Sequence, residues 1–269
     1  MLNRINSTFA HLKATNRKAF VAYITAGDPD LARSFEIALT LANAGTDILE
    51  IGVPFSDPVA DGPTIQAAAG RALANGATLP KLLTHLQEFR KKCEIPVVLF
   101  TYLNPVYVYG YEKFHRDAAA AGADGVLILD LPPDEAARNQ ELTAQHGLLA
   151  IRLISPTTPE KRMQEIATSA QGFLYYVSRE GVTGEQQELA DSIQEQVESI
   201  RRHTSLPICV GFGISTPEQA ADVAKNADGA VVGSAIVRRI AEAQSDPLLL
   251  EKIHAFVHPI ADAVHGVIA

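Results

Sequence analysis

Leu49-Glu50-Ile51-Gly52-Val53-Pro54-Phe55-Ser56-Asp57-Pro58-Val59-Ala60-Asp61-Gly62-Pro63-Thr64 holds one unit of the fold in miniature. An apolar run ends in a loop dense in Gly, Pro and Asp, and a helix starts behind it. Successive strand residues point to opposite faces, so Leu49 and Ile51 occupy one face and Glu50 the other. A carboxylate inside a buried strand is costly unless it has a role. Asp61, near the loop's end, supplies a second carboxylate in different surroundings, which is one way to build an acid–base pair.

The same unit recurs along the chain. Strand candidates are Ala19–Thr25, Asp47–Val53, Pro96–Tyr102, Gly125–Leu131, Leu149–Ile154, Gly172–Val177, Pro207–Gly211 and Gly229–Val232. Runs such as Val97-Val98-Leu99-Phe100 and Val126-Leu127-Ile128-Leu129 are continuously apolar, as strands buried on both faces of a parallel sheet are. Amphipathic helices lie between them: Leu82, Leu83, Leu86 and Phe89 recur at helical spacing. Thr216-Pro217-Glu218-Gln219 reads as a capping box with proline at the first helical position, and Thr158-Pro159-Glu160 opens another helix. Gly122 and Gly147 fall where helix C-caps belong. Strands alternating with helices throughout give a parallel sheet, and closure into a (β/α)8 TIM barrel is the economical solution. An open doubly wound sheet is the alternative. Ile5, Phe9 and Leu12 place a helix before the first strand, expected to plug the N-terminal end of the barrel, and an extra helix follows the eighth strand. Residues 1–269 read as one barrel domain.

Composition agrees. A chain of 269 residues is usual for such a barrel, and a hydrophobic share of 47% supplies a large core. A net charge of -8 argues against a nucleic-acid or anionic-membrane partner. No apolar run reaches transmembrane length, and Met1 to Lys18 has no signal-peptide segment. The cysteines, Cys93 and Cys209, have no CxxC context and read as reduced, in a cytoplasmic protein. The histidines read mostly as surface residues, and no metal site is expected.

Active sites of such barrels lie at the C-terminal strand ends. Glu50 sits near the end of the second strand with Asp61 on the loop above; Tyr102 ends the third, Asp130 the fourth, and Tyr175 lies on the sixth. Each has a structural alternative. Glu50 can face a helix and pair with a base, Asp61 can be an ordinary Asp-Gly-Pro turn residue, and the tyrosines can pack in the core. Asp130, before Leu131-Pro132-Pro133, reads as a helix cap. Gly211-Phe212-Gly213-Ile214-Ser215 and Gly233-Ser234-Ala235-Ile236-Val237 follow the seventh and eighth strands. Glycine lets backbone N–H groups at a helix N-terminus approach an anion, and these loops are the usual phosphate site of such barrels. The alternative is a pair of tight turns that need glycine sterically. Arg179-Glu180-Gly181-Val182-Thr183-Gly184 is polar and reads as a lid over the site, or as a solvated loop.

These motifs carry a resemblance. The Leu49–Pro63 stretch closely resembles the signature of tryptophan synthase alpha chains, as do Tyr23-Ile24-Thr25-Ala26-Gly27-Asp28-Pro29, Ser178–Gly184, Gly211–Ser215 and Gly233–Val237. The resemblance implies a (β/α)8 barrel and a retro-aldol lyase that converts indole-3-glycerol phosphate into indole and glyceraldehyde 3-phosphate in tryptophan biosynthesis. Glu50 matches the family's general acid–base residue. Asp61 matches the residue that accepts a hydrogen bond from the indole N–H. Tyr175 matches a positioning tyrosine and Thr183 a lid residue that meets the Asp61 position on closure. Tyr102 joins the substrate-binding set. Tyr23, Leu99 and Leu127 fall where the family lines its indole pocket; many members carry Phe where Tyr23 stands. Gly184, Gly213, Gly233 and Ser234 match the phosphate cradle. No cofactor is implied in this chain. The implied partner is a beta chain carrying pyridoxal phosphate, in an α2β2 complex, docked near Pro54–Asp61 and a loop around Asn104-Pro105. A stand-alone lyase and a catalytically silent ligand-binding subunit are the competing expectations.

Overall fold

The computed structural model describes residues 3–177, 186–211 and 213–268, with backbone only for 186–192. In chain order the elements are α1 (Arg4–Ala14), β1 (Ala19–Thr25), α2 (Leu31–Asn43), β2 (Ile48–Gly52), α3 (Pro63–Ala74), α4 (Leu79–Arg90), β3 (Val97–Thr101), α5 (Leu103–Tyr109), α6 (Tyr111–Ala121), β4 (Gly125–Ile128), α7 (Pro133–Gln145), β5 (Leu149–Ala150), β6 (Arg152–Ile154), α8 (Glu160–Ser169), β7 (Leu174–Val177), α9 (Gln186–Arg201), β8 (Ile208–Gly211), α10 (Pro217–Asn226), β9 (Gly229–Val232), α11 (Ser234–Ala243) and α12 (Leu249–His265). Every strand pair is parallel, in the order β5-β4-β3-β2-β1-β9-β8-β7-β6. The ends of this order, β5 and β6, are the two halves of the expected strand Leu149–Ile154. The first half pairs with β4 and the second with β7. The chain thus changes partner at Ile151, whose N–H still donates to Val126 O at 3.0 Å, and closes the ring itself. The result is the expected (β/α)8 barrel.

Alternation then decides what lies inside. Val21, Ile48, Val98, Leu127, Ile151 and Phe173 meet in the barrel interior. Their neighbours Phe20, Leu49, Ile51, Leu99 and Val126 pack outward into the larger core under the helices. α1 plugs the bottom as expected: Ile5 is fully buried in the interior cluster, with Phe9 packed against it. Leu12 is buried but belongs to neither cluster. Gly122 caps α6 in the left-handed conformation, at φ 94°. The capping box at α10 is modified. Thr216 accepts from the Gln219 N–H at 3.3 Å, but the Gln219 side chain turns to the Ser215 N–H at 2.9 Å. No helix among the described residues is long and apolar enough to cross a membrane. Both cysteines are free thiols, Cys209 buried and Cys93 half-buried.

Two departures from the sequence reading bear on the site. The stretch around Asn104-Pro105, expected as a loop, forms α5. Pro105 lies in its first turn, where a missing N–H costs no intrahelical bond. Asp130 is a cap, but of α5 rather than of the helix that follows it: its carboxylate accepts the Leu103 N–H at 2.7 Å. β4 accordingly stops at Ile128 instead of running to Leu131.

A second brace ties the loop after β1 to α3. Arg71 donates to both oxygens of the buried Asp28 at 2.8 Å each, and Asn75 donates to Pro29 O. α3 begins where the Asp61 loop ends, so this pair fixes the helix that carries one wall of the site. Removing one partner of such a pair strands a buried charge. Arg71→Ala is expected to lower stability by about 2 to 3 kcal/mol, less than a fully buried pair because the arginine is partly exposed. Urea unfolding of the two proteins checks this, and Asp28→Asn in the Arg71→Ala background should recover part of the loss.

Candidate active site

The C-terminal strand ends open into a cavity of about 660 Å³, with Glu50 and Asp61 on its wall and Val231 beneath. Glu50 projects inward from β2 beside Tyr23, its register partner on β1. It is fully buried, and neither carboxyl oxygen has a hydrogen-bond partner among the described residues. Burial pushes its pKa up from 4.5 to about 8, with no donor or cation among the described residues to favour the charged form. At neutral pH Glu50 therefore holds a proton it can give away.

Asp61 is held differently. The Tyr102 hydroxyl donates to Asp61 Oδ2 at 3.1 Å and accepts the Ala60 N–H at 3.0 Å. The Gln66 side chain, in the first turns of α3, donates to Asp61 O at 2.9 Å. Burial raises the Asp61 pKa, and the bond from Tyr102 counters it in part. Tyr102 itself packs at a tilt against Phe55, ring centroids 5.3 Å apart, and does not line the cavity; it braces the loop from behind. The cavity thus carries two carboxyls, one without a partner and one hydrogen-bonded.

The rings are seated by missing side chains. A Cβ on Gly52 would lie 2.1 Å from the Tyr23 hydroxyl, and one on Gly211 would lie 2.5 Å from the Tyr175 hydroxyl. Both glycines are strand residues whose Cβ would fill the space each tyrosine uses. Gly211 also lines the cavity, and its missing side chain makes room for Tyr175. The Tyr23 hydroxyl lies 3.4 Å from Thr25 Oγ1, and its ring meets Phe100 edge-on, centroids 5.6 Å apart.

At the far end, Gly213 has φ 62°, in the left-handed region that favours glycine, with nothing within 4 Å of a Cβ placed there. Gly233 is the N-cap of α11 and no side chain among the described residues caps that helix, so its first N–H groups, from Ser234 onward, can meet an anion. Gly213, Gly233 and Ser234 all line the cavity. This is the expected arrangement of the last two barrel strands and a short helix.

Two expected pocket residues lie elsewhere. Leu99 is fully buried on the outer face of β3, in the core under the helices. The β3 residue that faces the cavity is Phe100, in step with Val98 and Tyr102. Leu127 does point inward, but into the filled layer with Val98 and Ile151, below the cavity. Thr183 and Gly184, with the rest of the expected lid 179–184, lie outside the described residues. Sequence reading also missed Ile65, Ile214 and Arg238, which line the cavity. The alternation that separates Glu50 from Leu49 identifies Phe100; nothing local identifies the other three. Among the described residues no group of His, Cys, Asp and Glu could hold a metal ion.

A family model for the tryptophan synthase alpha chain matches residues 9–265. The chain belongs to the tryptophan synthase alpha chain family. It is 50% identical over 263 residues to the tryptophan synthase alpha chain of Geobacter sulfurreducens, covering 98% of this chain and 99% of that one. It is 48% identical to that of Geotalea uraniireducens, over 99% of both. Among solved structures, tryptophan synthase subunit alpha from Legionella pneumophila str. Paris superposes with a TM-score of 0.91 at 41% identity, covering 99% of this chain and 100% of that one. A chain of the aminoacrylate-bound tryptophan synthase from M. tuberculosis gives 0.87 at 33% identity, covering 97% of this chain and 99% of that one. As a member of this family the chain is a lyase that cleaves indole-3-glycerol phosphate.

Seating of Tyr175 over Gly211 has a direct consequence. Gly211→Ala should displace the ring and cost about 1 to 3 kcal/mol, as overpacking does. Tyr175→Phe, by removing the hydroxyl that a Cβ would strike first, should recover part of it. Thermal melts of the single and double variants test this; equal costs in both backgrounds would count against the contact.

Proposed function

We propose that Glu50 and Asp61 divide the work of the retro-aldol cleavage between them. The observation that carries this reading is the contrast between the two carboxyls on one cavity wall: Glu50 buried with no hydrogen-bond partner among the described residues, Asp61 hydrogen-bonded by Tyr102. Asp61 accepts the indole N–H and stabilises the positive charge that appears when the ring is protonated. Glu50 gives its proton to indole C3 and takes one from the hydroxyl on the adjoining side-chain carbon. The oxygen lone pair then forms the aldehyde carbonyl as the bond between that carbon and C3 breaks, and its electrons return to the ring. The two proton transfers leave Glu50 as it began. The ring is the electron sink, so the chemistry needs no cofactor in this chain.

Tyr23, Phe100 and Tyr175 form the aromatic walls for the indole ring in this reading, with Phe100 in the place expected of Leu99. Tyr102 acts on the substrate through Asp61. The N–H groups at the start of α11 and the backbone at Gly213 take the phosphate, and the resemblance adds Thr183 and Gly184 to the set. Residues 1–269 act as one barrel domain in the cytoplasm. The partner is a beta chain carrying pyridoxal phosphate, in an α2β2 complex. Val59, Tyr107 and Val108 support a docking face on the Asp61 loop and α5, since they are 85%, 74% and 77% exposed.

Indole release from indole-3-glycerol phosphate is the test, with the chain alone and with a matching beta chain. Slow release alone and strong stimulation by the partner are expected. Fast release alone would mark a stand-alone lyase, and none in either mixture a silent binding subunit. Glu50→Gln should reduce release by at least about 10²-fold while glycerol phosphate still binds. Retained turnover would remove Glu50 from the mechanism. Because the acid form of Glu50 starts the reaction, kcat/KM should fall above about pH 8.

A further inference from the structure

α11 carries adjacent arginines with different surroundings. Arg239 is committed to the fold: it pairs with Glu242 at 3.4 Å and stacks over the Phe256 ring at 5.1 Å. Arg238 has no ion pair, hydrogen bond or ring contact among the described residues, and it lines the cavity. It stands four residues after Ser234, on the same face of the helix, where side chains are about 5 to 6 Å apart at Cβ. Long helical side chains lean back toward the N-terminus, so a residue at this position covers the turn that bears the free N–H groups. Arg238 is the only Lys or Arg among the described residues that line the cavity, whose carboxyls are Asp61 and Glu50, the latter protonated at neutral pH.

Charge makes that position consequential. The chain carries a net charge of -8 and Asp61 faces the cavity, so a phosphate ester enters an unfavourable field. A helix N-terminus contributes only a partial positive charge. A guanidinium adds a full one and can offer paired donors to phosphate oxygens. We propose that Arg238 contacts the phosphate of the substrate and sets the preference of this site for phosphorylated over unphosphorylated indole glycerol. The inference rests on the phosphate reading of Gly213 and α11.

The test is calorimetric binding of glycerol 3-phosphate to the full chain, at low and high ionic strength, for wild type, Arg238→Gln, Arg238→Lys and Arg239→Gln. Arg238→Gln should bind about tenfold more weakly, with a flatter salt dependence, and Arg238→Lys should fall between. Arg239→Gln removes the same formal charge one residue away and should bind as wild type does. In turnover, Arg238→Gln should raise KM for indole-3-glycerol phosphate more than it lowers kcat, and should narrow its advantage over the unphosphorylated analogue. If Arg238→Gln and Arg239→Gln bind glycerol 3-phosphate equally, the contact is refuted while the phosphate site stands. If the wild type does not bind it, the phosphate reading fails and the contact falls with it.

Discussion

The carboxyl of Glu50 has no hydrogen-bond partner among the described residues, at the boundary between the filled lower half of the barrel and its open upper half. Below it, side chains such as Val21, Val98 and Leu127 close the interior. An ionised carboxylate there would lack both water and donors, which is costly, so the neutral acid is favoured and the pKa rises to about 8. The strand cannot turn this side chain away, because a shift of one residue would send Leu49 and Ile51 into the cavity and Glu50 into the core. Closure of the sheet and burial of the outer face therefore hold the acid where it stands.

Around this acid, elements distant in sequence act as braces. Tyr102 at the end of β3 holds Asp61 from behind, and Gln66 holds the same loop from α3. Asp130 caps α5 immediately after Tyr102, and Arg71 anchors α3 on Asp28. Room for Tyr23 and Tyr175 comes from glycines on neighbouring strands. The two carboxyls thus differ in kind. One is tuned by isolation, the other by a hydrogen bond.

Much of this was legible in the chain. Continuous apolar runs and helix caps locate the strands and the barrel, and alternation together with the Gly-Pro-Asp loop locates the Glu50–Asp61 pair. Resemblance supplied the reaction. Leu99 was misplaced because the motif was read by position rather than by face; the alternation already applied to Glu50 assigns Phe100 instead. Leu127 has the right face but the wrong height, and height depends on the stagger of strands around the closed barrel, which local sequence does not carry. Residues around Asn104-Pro105 form α5 rather than the expected loop, since proline is tolerated in a first helical turn. The Tyr102–Asp61 bond and the place of Arg238 arise from contacts between separate strands, loops and helices, beyond the reach of local pattern.

The most direct measurement is the titration of the Glu50 carboxyl itself, by carbon NMR of protein labelled at the glutamate side-chain carboxyl, with Glu50→Gln to assign the signal. A midpoint near 8 is predicted, with the group still protonated at neutral pH. A midpoint near the ordinary 4.5 would mean that water or a partner reaches the carboxyl, and it would contradict the account of Glu50 as an acid poised by isolation.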